Sequence, residues 1–238
     1  MHVDILAIGA HPDDVELSCA GTLLRHAELG YTFGLLDLTR GELGTRGSAD
    51  LRDEEAAESA RRMGASFREN LDLGDGSFAN DEPARRAIIE IVRWCTPRLV
   101  LANALSDRHP DHGRAAGLIA DACFLAGLRK IETSYRGDSQ EAHRPANLLH
   151  YIQDYQREPD LVVDVTEFFE RKVECIKAFA SQFHDPESDE PETPLTGEDF
   201  LPFLGARARN MGRPAGYKYA EGFNRSRWYG VPDLLALD

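Results

Sequence analysis

One stretch of the sequence decides the fold: VDILAIG at residues 3–9, followed at once by AHPDDVE at residues 10–16. A short apolar run that ends in glycine predicts a buried strand. From Val15 onward the apolar side chains recur at helical spacing until Gly30, which predicts a helix over Val15–Leu29. The polar segment between them therefore lies at the point where a strand ends and a helix begins.

The same order of strand, loop and helix repeats along the first half of the chain. Strands that alternate with helices of this length predict a mainly parallel, open α/β sheet with helices on both faces. Such a sheet places its site at the carboxyl ends of the strands. Further predicted elements are strands Thr32–Leu38 and Leu99–Ala102, helix Leu51–Met63, a helix from Asp81 to Trp94 and one from about Asp111 to Leu125.

Beyond Lys130 the periodicity is weaker, and we interpret the chain as a single domain over residues 1–238. Residues 1–130 form the core in this interpretation, and residues 131–238 complete the fold and supply the oligomer or substrate surface. The loop His184–Gly197 is either a lid or a solvated loop. The other predicted elements are strands Leu148–Ile152, Leu161–Val165 and Gly216–Phe223, and helices Thr166–Phe183 and Glu198–Met211.

Composition excludes several classes of protein. With 27 Lys and Arg against 41 Asp and Glu, the formal charge is −14, so the chain has no global positive field for nucleic acid or for an anionic membrane. Its four cysteines are far apart, which argues against a metal knuckle or a disulfide framework. No apolar run approaches the roughly 18 residues of a membrane span, so we expect a cytoplasmic protein.

Two His/Asp clusters follow predicted strands, HPDDVE at residues 11–16 and HPDH at residues 109–112. If the two strands are neighbours, the loops offer two imidazoles and one carboxylate to a divalent cation and leave a position for water. That is the composition of a catalytic zinc site. We predict His11, Asp14 and His112 as the metal ligands. The adjacent Asp13 is then left beside the water, where a general base belongs.

His109 is free in this arrangement to act as a donor to a developing oxyanion, with Asp111 able to orient one of its ring nitrogens. The alternative is that Asp13, Asp14 and Asp111 simply cap helices. Two such clusters at the strand ends of one sheet favour a catalytic metal site over capping alone. The same residue can also do both.

A glycine-rich loop over residues 39–48 follows the second strand on the same edge of the sheet, and its glycines permit close approach of the backbone to a ligand. Arg52 lies just beyond it and is a candidate for substrate binding through a carboxylate or hydroxyls. The alternative for Arg52 is a solvated helix face.

The two clusters resemble the signature of the PIG-L/LmbE-type zinc-dependent N-acetylglucosamine deacetylases. Further stretches are similar to the branch that contains the bacillithiol biosynthesis deacetylases. The resemblance implies a Rossmann-like core, a homo-oligomer (hexamer or trimer) and hydrolysis of the N-acetyl group of a GlcNAc conjugate, GlcNAc-malate in that branch. These stretches are LGTRG at residues 43–47, LRDEEA at 51–56, SQF at 181–183 and AEGF at 220–223.

The resemblance also implies the same residue roles: zinc ligands His11, Asp14 and His112, general base Asp13, oxyanion histidine His109 oriented by Asp111, and substrate contact by Arg52. Iron, cobalt or manganese also suit such ligands. One position departs from the mycothiol branch, where a catalytic tyrosine stands at the position of Asp107. Either His109 with the metal stabilises the oxyanion, or a tail tyrosine such as Tyr217 or Tyr219 helps.

Three rival functions remain at this stage. The first is a deacetylase of another acetamido sugar, either a chitooligosaccharide or a mycothiol-type precursor. The second is a noncatalytic sugar-binding protein with a structural metal, which would have no need of Asp13 and His109. The third is a nucleotide-binding domain, which is disfavoured because acidic side chains stand where a glycine-rich turn should hold phosphates.

Overall fold

A seven-stranded sheet forms the centre of the computed structural model, which describes residues 1–183, 189–233 and 235. The strands lie side by side in the order β3-β2-β1-β4-β7-β9-β8. The first five of these run parallel, and β9 runs antiparallel to both β7 and β8. The strands are β1 Ile5–Gly9, β2 Phe33–Asp37, β3 Arg68–Asn70, β4 Leu99–Ala102, β7 Asn147–Tyr151, β8 Leu161–Asp164 and β9 Ala220–Arg225, and a separate hairpin pairs β5 Ser134–Tyr135 with β6 Asp138–Ser139.

Helices cover both faces of the sheet. Side chains alternate along β1, so Leu6 and Ile8 join the core that α3 and α4 cover, while Ile5 and Ala7 join the core that α1 and α5 cover. The prediction of a mainly parallel α/β sheet with helices on both faces is confirmed. The helices are α1 Asp14–Glu28, α2 Ala49–Met63, α3 Glu82–Cys95, α4 Pro110–Ala126, α5 Phe169–Ile176 and α6 Phe200–Gly212, with short 3-10 turns at Ala180–Gln182 and Arg213–Ala215.

The structure differs from the prediction in one edge strand, in one helix and in the start of the last strand. Strand β3 was not predicted, because its three residues are polar and none of them is buried. The helix predicted over Thr166–Phe183 is wrong in its bounds, since α5 ends at Ile176. The last strand begins at Ala220 rather than Gly216, because Gly216, with φ of 80°, ends the preceding 3-10 turn.

The C-terminal third extends the same sheet. The helix predicted over Glu198–Met211 is confirmed as α6 with slightly different bounds. Part of the loop His184–Gly197, residues 184–188, lies outside the described residues. The boundary at residue 130 stays a prediction, although β7, β9 and β8 all pair into the one sheet.

All four cysteines fall within the described part of the chain, where each is a free, buried thiol. Among the residues that the structure describes, no helix combines the length and the apolar character needed to cross a membrane.

Candidate functional site

The two His/Asp clusters meet at one edge of the sheet. Because β1 pairs with β4, in parallel, the loops that follow them lie side by side. The ring of His11 lies 4.7 Å from that of His109 and 5.5 Å from that of His112, centroid to centroid. The structure thus brings together the residues that the sequence pattern singles out.

Asp14 lies at the centre of this cluster and is buried. Its Oδ2 accepts from the backbone N–H of His11 at 3.0 Å and from Nδ2 of Asn103 at 2.9 Å. Its Oδ1 accepts from Nε2 of Gln153 at 3.0 Å and lies 3.1 Å from Nε2 of His112. Asn103 and Gln153 follow the ends of β4 and β7, so three neighbouring strands fix this one carboxylate.

The donor set suits a divalent cation. The ring nitrogen Nδ1 of His11 lies 3.6 Å from Oδ2 of Asp14, and the ring nitrogen Nε2 of His112 lies 3.1 Å from Oδ1 of Asp14. Ligands of a tetrahedral site with bonds of about 2.0–2.1 Å are about 3.3 Å apart. Among the described residues, two groups of three donors have ligand atoms within 4.8 Å of one another: His11 with His109 and His112, and His11 with Asp75 and Asp111. The predicted ligands His11 and His112 both belong to the first group.

The carboxylates of the cluster also stabilise positive charge on the two histidines. Burial lowers the pKa of His112, but the charge of Asp14 and the hydrogen bonds that Asp107 and Asp14 accept from the ring outweigh it and raise that pKa to about 9. Burial likewise lowers the pKa of His11, and its carboxylate neighbours raise it well above its ordinary value. A cation bound by these residues would supply the charge that a proton supplies here.

Asp13 stands beside Asp14 and does not act as a helix cap. It occupies the N-cap position of α1, yet its side chain makes no capping hydrogen bond. Its backbone has φ of 117°, a conformation that costs a non-glycine residue energy and that clusters at functional sites. Burial raises the pKa of its carboxyl, Arg52 lowers it, and the result is about 7.

His109 is the N-cap of α4, and its Nδ1 accepts from the backbone N–H of Asp111 at 3.2 Å. The neutral ring therefore carries its proton on Nε2, as a donor needs. Burial and the neighbouring histidines lower its pKa. The carboxylate of Asp111 lies elsewhere than expected: it accepts from Gly76 N–H at 2.8 Å, contacts Arg114, and lies 3.4 Å from Nε2 of His11. It is the Asp111 backbone that orients His109.

Arg52 is buried rather than solvated, although it lies on α2. Its Nη2 donates to Pro12 O at 2.6 Å and to Asp13 at 3.0 Å, and its Nη1 donates to Gly41 O at 3.1 Å. Among the described residues, its Nε has no partner. Arg52 therefore ties the glycine-rich loop to the loop that carries Asp13.

These residues line one pocket of about 260 Å³. Its floor is polar, and an opposite wall is apolar, formed by Leu17, Leu195, Phe200 and Leu204 from α1, the described part of the loop before α6, and α6 itself. No tyrosine is among the described residues that line it. The ring of Tyr219 instead stacks on Phe169, 4.2 Å away.

Four polar residues of the site were not assigned a role from the sequence: Asp75, Asn103, Asp107 and Gln153. Asp107 was noted only because it stands in place of a tyrosine. A polar residue directly after each strand is the signal that could have found Asn103, and Gln153 lies two positions beyond β7.

Comparisons with known proteins agree with this geometry. A family model described as PIG-L, GlcNAc-PI de-N-acetylase, matches residues 6–124, half of the chain. The conserved protein TT1542 from Thermus thermophilus has a similar structure, with a TM-score of 0.85 and 35% identity over 97% of this chain and 98% of that one.

Several curated relatives are 25–29% identical to this chain. A diacetylchitobiose deacetylase of Thermococcus kodakarensis is 29% identical, covering 92% of this chain and 81% of its own. A 4-oxalmesaconate hydratase of Pseudomonas putida is 28% identical, covering 75% and 74%. A Bacillus anthracis protein named "Probable N-acetyl-alpha-D-glucosaminyl L-malate deacetylase 2" is 25% identical, covering 75% and 81%.

Proposed function

We propose, because the chain belongs to the PIG-L family, that it hydrolyses the N-acetyl group of an N-acetylglucosamine conjugate. His11, Asp14 and His112 hold a divalent cation, zinc in this proposal, with iron, cobalt and manganese as the alternatives that such ligands accept. The observation that carries the proposal is the buried carboxylate of Asp13. It makes no capping hydrogen bond, it is buried next to Asp14, and Arg52 holds it by a hydrogen bond of 3.0 Å, which places it to act as a general base.

The reaction follows from the residues around this carboxylate. A divalent cation at these ligands supplies Lewis acidity, which polarises a carbonyl and makes water more acidic. Asp13 removes a proton as water adds to the acetamide carbon. The Nε2–H of His109 donates a hydrogen bond to the resulting oxyanion. Asp13 then returns the proton to the nitrogen as the carbon–nitrogen bond breaks, which gives acetate and the free amine.

In this scheme Arg52 acts on both the general base and the substrate. Its bond to Asp13 holds the base in place, and its guanidinium lines the pocket where sugar hydroxyls would lie.

The aglycone we propose first is malate, on the resemblance of four sequence stretches and the Bacillus anthracis relative. The carboxylates of malate need a positively charged partner. Among the described arginines that line the pocket, Arg108 is the exposed one. Arg108 pairs with Asp154 at 3.0 Å, and its side chain is 43% exposed, so little is lost when it changes partner. By contrast, Arg207 already donates to two backbone carbonyls.

A second sugar is the other candidate aglycone, and the apolar wall favours it. Phe200 presents a partly buried aromatic ring beside Leu195 and Leu204, a surface that suits the apolar face of a pyranose. No feature of the described part of the pocket gives comparable support to a hydratase activity like that of the Pseudomonas putida relative.

The test is the release of amine from GlcNAc-malate, diacetylchitobiose and GlcNAc, before and after chelation and after the return of zinc. We expect activity to disappear with the metal and to return with zinc. Metal-loaded protein that leaves every acetamido sugar intact would refute the proposal.

Two variants then distinguish the aglycones. Arg108→Gln raises KM for GlcNAc-malate alone if malate is correct, whereas Phe200→Ala raises KM for diacetylchitobiose alone if the second sugar is correct. Each variant is the matched control for the other, since both line the same pocket.

We also propose from the sequence that the protein is cytoplasmic and forms a hexamer or trimer; sedimentation of the purified chain tests the subunit count.

A further inference from the structure

His11 and His112 are the two histidines proposed as metal ligands. In each, one ring nitrogen lies beside the carboxylate of an aspartate that is not a proposed ligand. Nε2 of His11 lies 3.0 Å from Oδ1 of Asp75, and Nδ1 of His112 lies 2.6 Å from Oδ2 of Asp107. Both carboxylates are buried, with side chains 7% and 1% exposed. Metal-binding imidazoles usually donate their other N–H to such a group.

These contacts select opposite nitrogens of the two rings. If Nε2 of His11 donates to Asp75, the lone pair of the neutral ring is on Nδ1, which faces Oδ2 of Asp14 at 3.6 Å. If Nδ1 of His112 donates to Asp107, the lone pair is on Nε2, which faces Oδ1 of Asp14 at 3.1 Å. Both lone pairs therefore face the carboxylate of Asp14, where the three residues would share one cation.

The backbone holds both carboxylates from the other side. The second oxygen of Asp75 accepts from Leu43 N–H at 3.0 Å, and the N–H of Asp75 donates to Glu42 at 2.7 Å. The second oxygen of Asp107 accepts from Tyr155 N–H at 2.7 Å. Each aspartate therefore uses both oxygens as acceptors, one for a histidine and one for a loop of the backbone.

We propose that Asp75 and Asp107 are positioning residues that fix the tautomer and the orientation of the metal-binding histidines. The inference rests on the proposed function, since it assumes a cation at His11, Asp14 and His112. Asp75 also connects His11 to the glycine-rich loop, because its carboxylate accepts from Leu43 N–H. Asp107 connects it to the segment after β7.

The test compares the variants Asp75→Asn and Asp107→Asn with wild type. An asparagine offers one acceptor oxygen where aspartate offers two, so each variant must give up one of the two hydrogen bonds. Asp154→Asn is the matched control, since it removes a carboxylate of the same pocket that pairs with Arg108 and contacts none of the described histidines. We expect zinc affinity, measured by competition with a chelator, to fall about 10- to 100-fold in each of the first two variants and to stay unchanged in the control.

A second measurement needs no variant. Two-bond proton–nitrogen NMR spectra of the zinc-loaded wild-type protein should show the proton on Nε2 of His11 and on Nδ1 of His112. Unchanged zinc affinity in both variants, or the same tautomer for both rings, would overturn the inference while leaving the proposed function intact. Wild-type protein that binds no zinc would instead refute the proposed function itself.

Discussion

The buried ion pair between Lys172 and Glu221 gives a prediction about stability. Nζ of Lys172 lies 2.6 Å from Oε1 of Glu221, with side chains 5% and 3% exposed. The Lys172→Met variant keeps the volume of the side chain and removes its charge, so an uncompensated carboxylate stays buried. Removal of one partner from such a pair costs about 3–5 kcal/mol.

The remaining contacts of Glu221 set the size of the effect. Gly21 and Thr22 donate three hydrogen bonds to it at 2.6–3.0 Å, so we expect the lower end, about 3 kcal/mol, of the cost of breaking the pair. Domains of this kind are stable by about 5–15 kcal/mol, so the loss should be large relative to the whole.

Urea unfolding measures this loss, with Lys177→Met as the control. Lys177 pairs with Glu174 at 2.9 Å, but both side chains are more than half exposed, so its loss should cost less than about 1 kcal/mol. A double variant that adds Glu221→Gln to Lys172→Met should recover part of the stability, because it removes the buried charge. If Lys172→Met loses no more stability than Lys177→Met, or if the double variant recovers nothing, the reasoning fails.

Three other predictions concern the site. Asp13→Asn should lower kcat by about 10²- to 10⁴-fold with zinc affinity unchanged; a wild-type kcat on the released-amine assay would exclude Asp13 as the base. His109→Ala should lower kcat by about 10²- to 10³-fold because a donor to the oxyanion is lost, and a purely raised KM would contradict that role. Chelation should lower Tm and zinc should restore it, because zinc at a thousandfold excess over Kd adds about 4 kcal/mol to the free energy of unfolding; a Tm that zinc does not change would show that zinc does not bind the folded state.

The residues that the sequence places in the site are those carried by strong local patterns. His11 and His112 each belong to a dense polar cluster that interrupts an apolar pattern, and the pairing of β1 with β4 brings the clusters together. That pairing had to be assumed, since nothing local to either strand specifies its neighbour. Once assumed, it places both clusters at one edge of the sheet.

The residues that were missed lie where local patterns are weak. Asp75 follows β3, whose residues are Arg68, Glu69 and Asn70, and a polar edge strand has no apolar alternation to reveal it. The predicted helix over Thr166–Phe183 failed for a related reason. Ser181 donates to Glu55 on α2, and Gln182 donates to Arg46 O, so contacts distant in sequence end the helical course of the chain.

Strand β9 occupies a place in the sheet that bears on how the chain is made. It lies between β7 and β8, and within the described ranges β8 pairs with no other strand. During synthesis β8 must therefore wait, unpaired, until residues 220–225 have left the ribosome. Glu221 on that strand also accepts hydrogen bonds from Gly21 and Thr22 of α1, the helix that begins at Asp14, a proposed metal ligand. A nascent chain that stops before β9 exposes two open strand edges, which are surfaces that chaperones protect and that aggregates recruit.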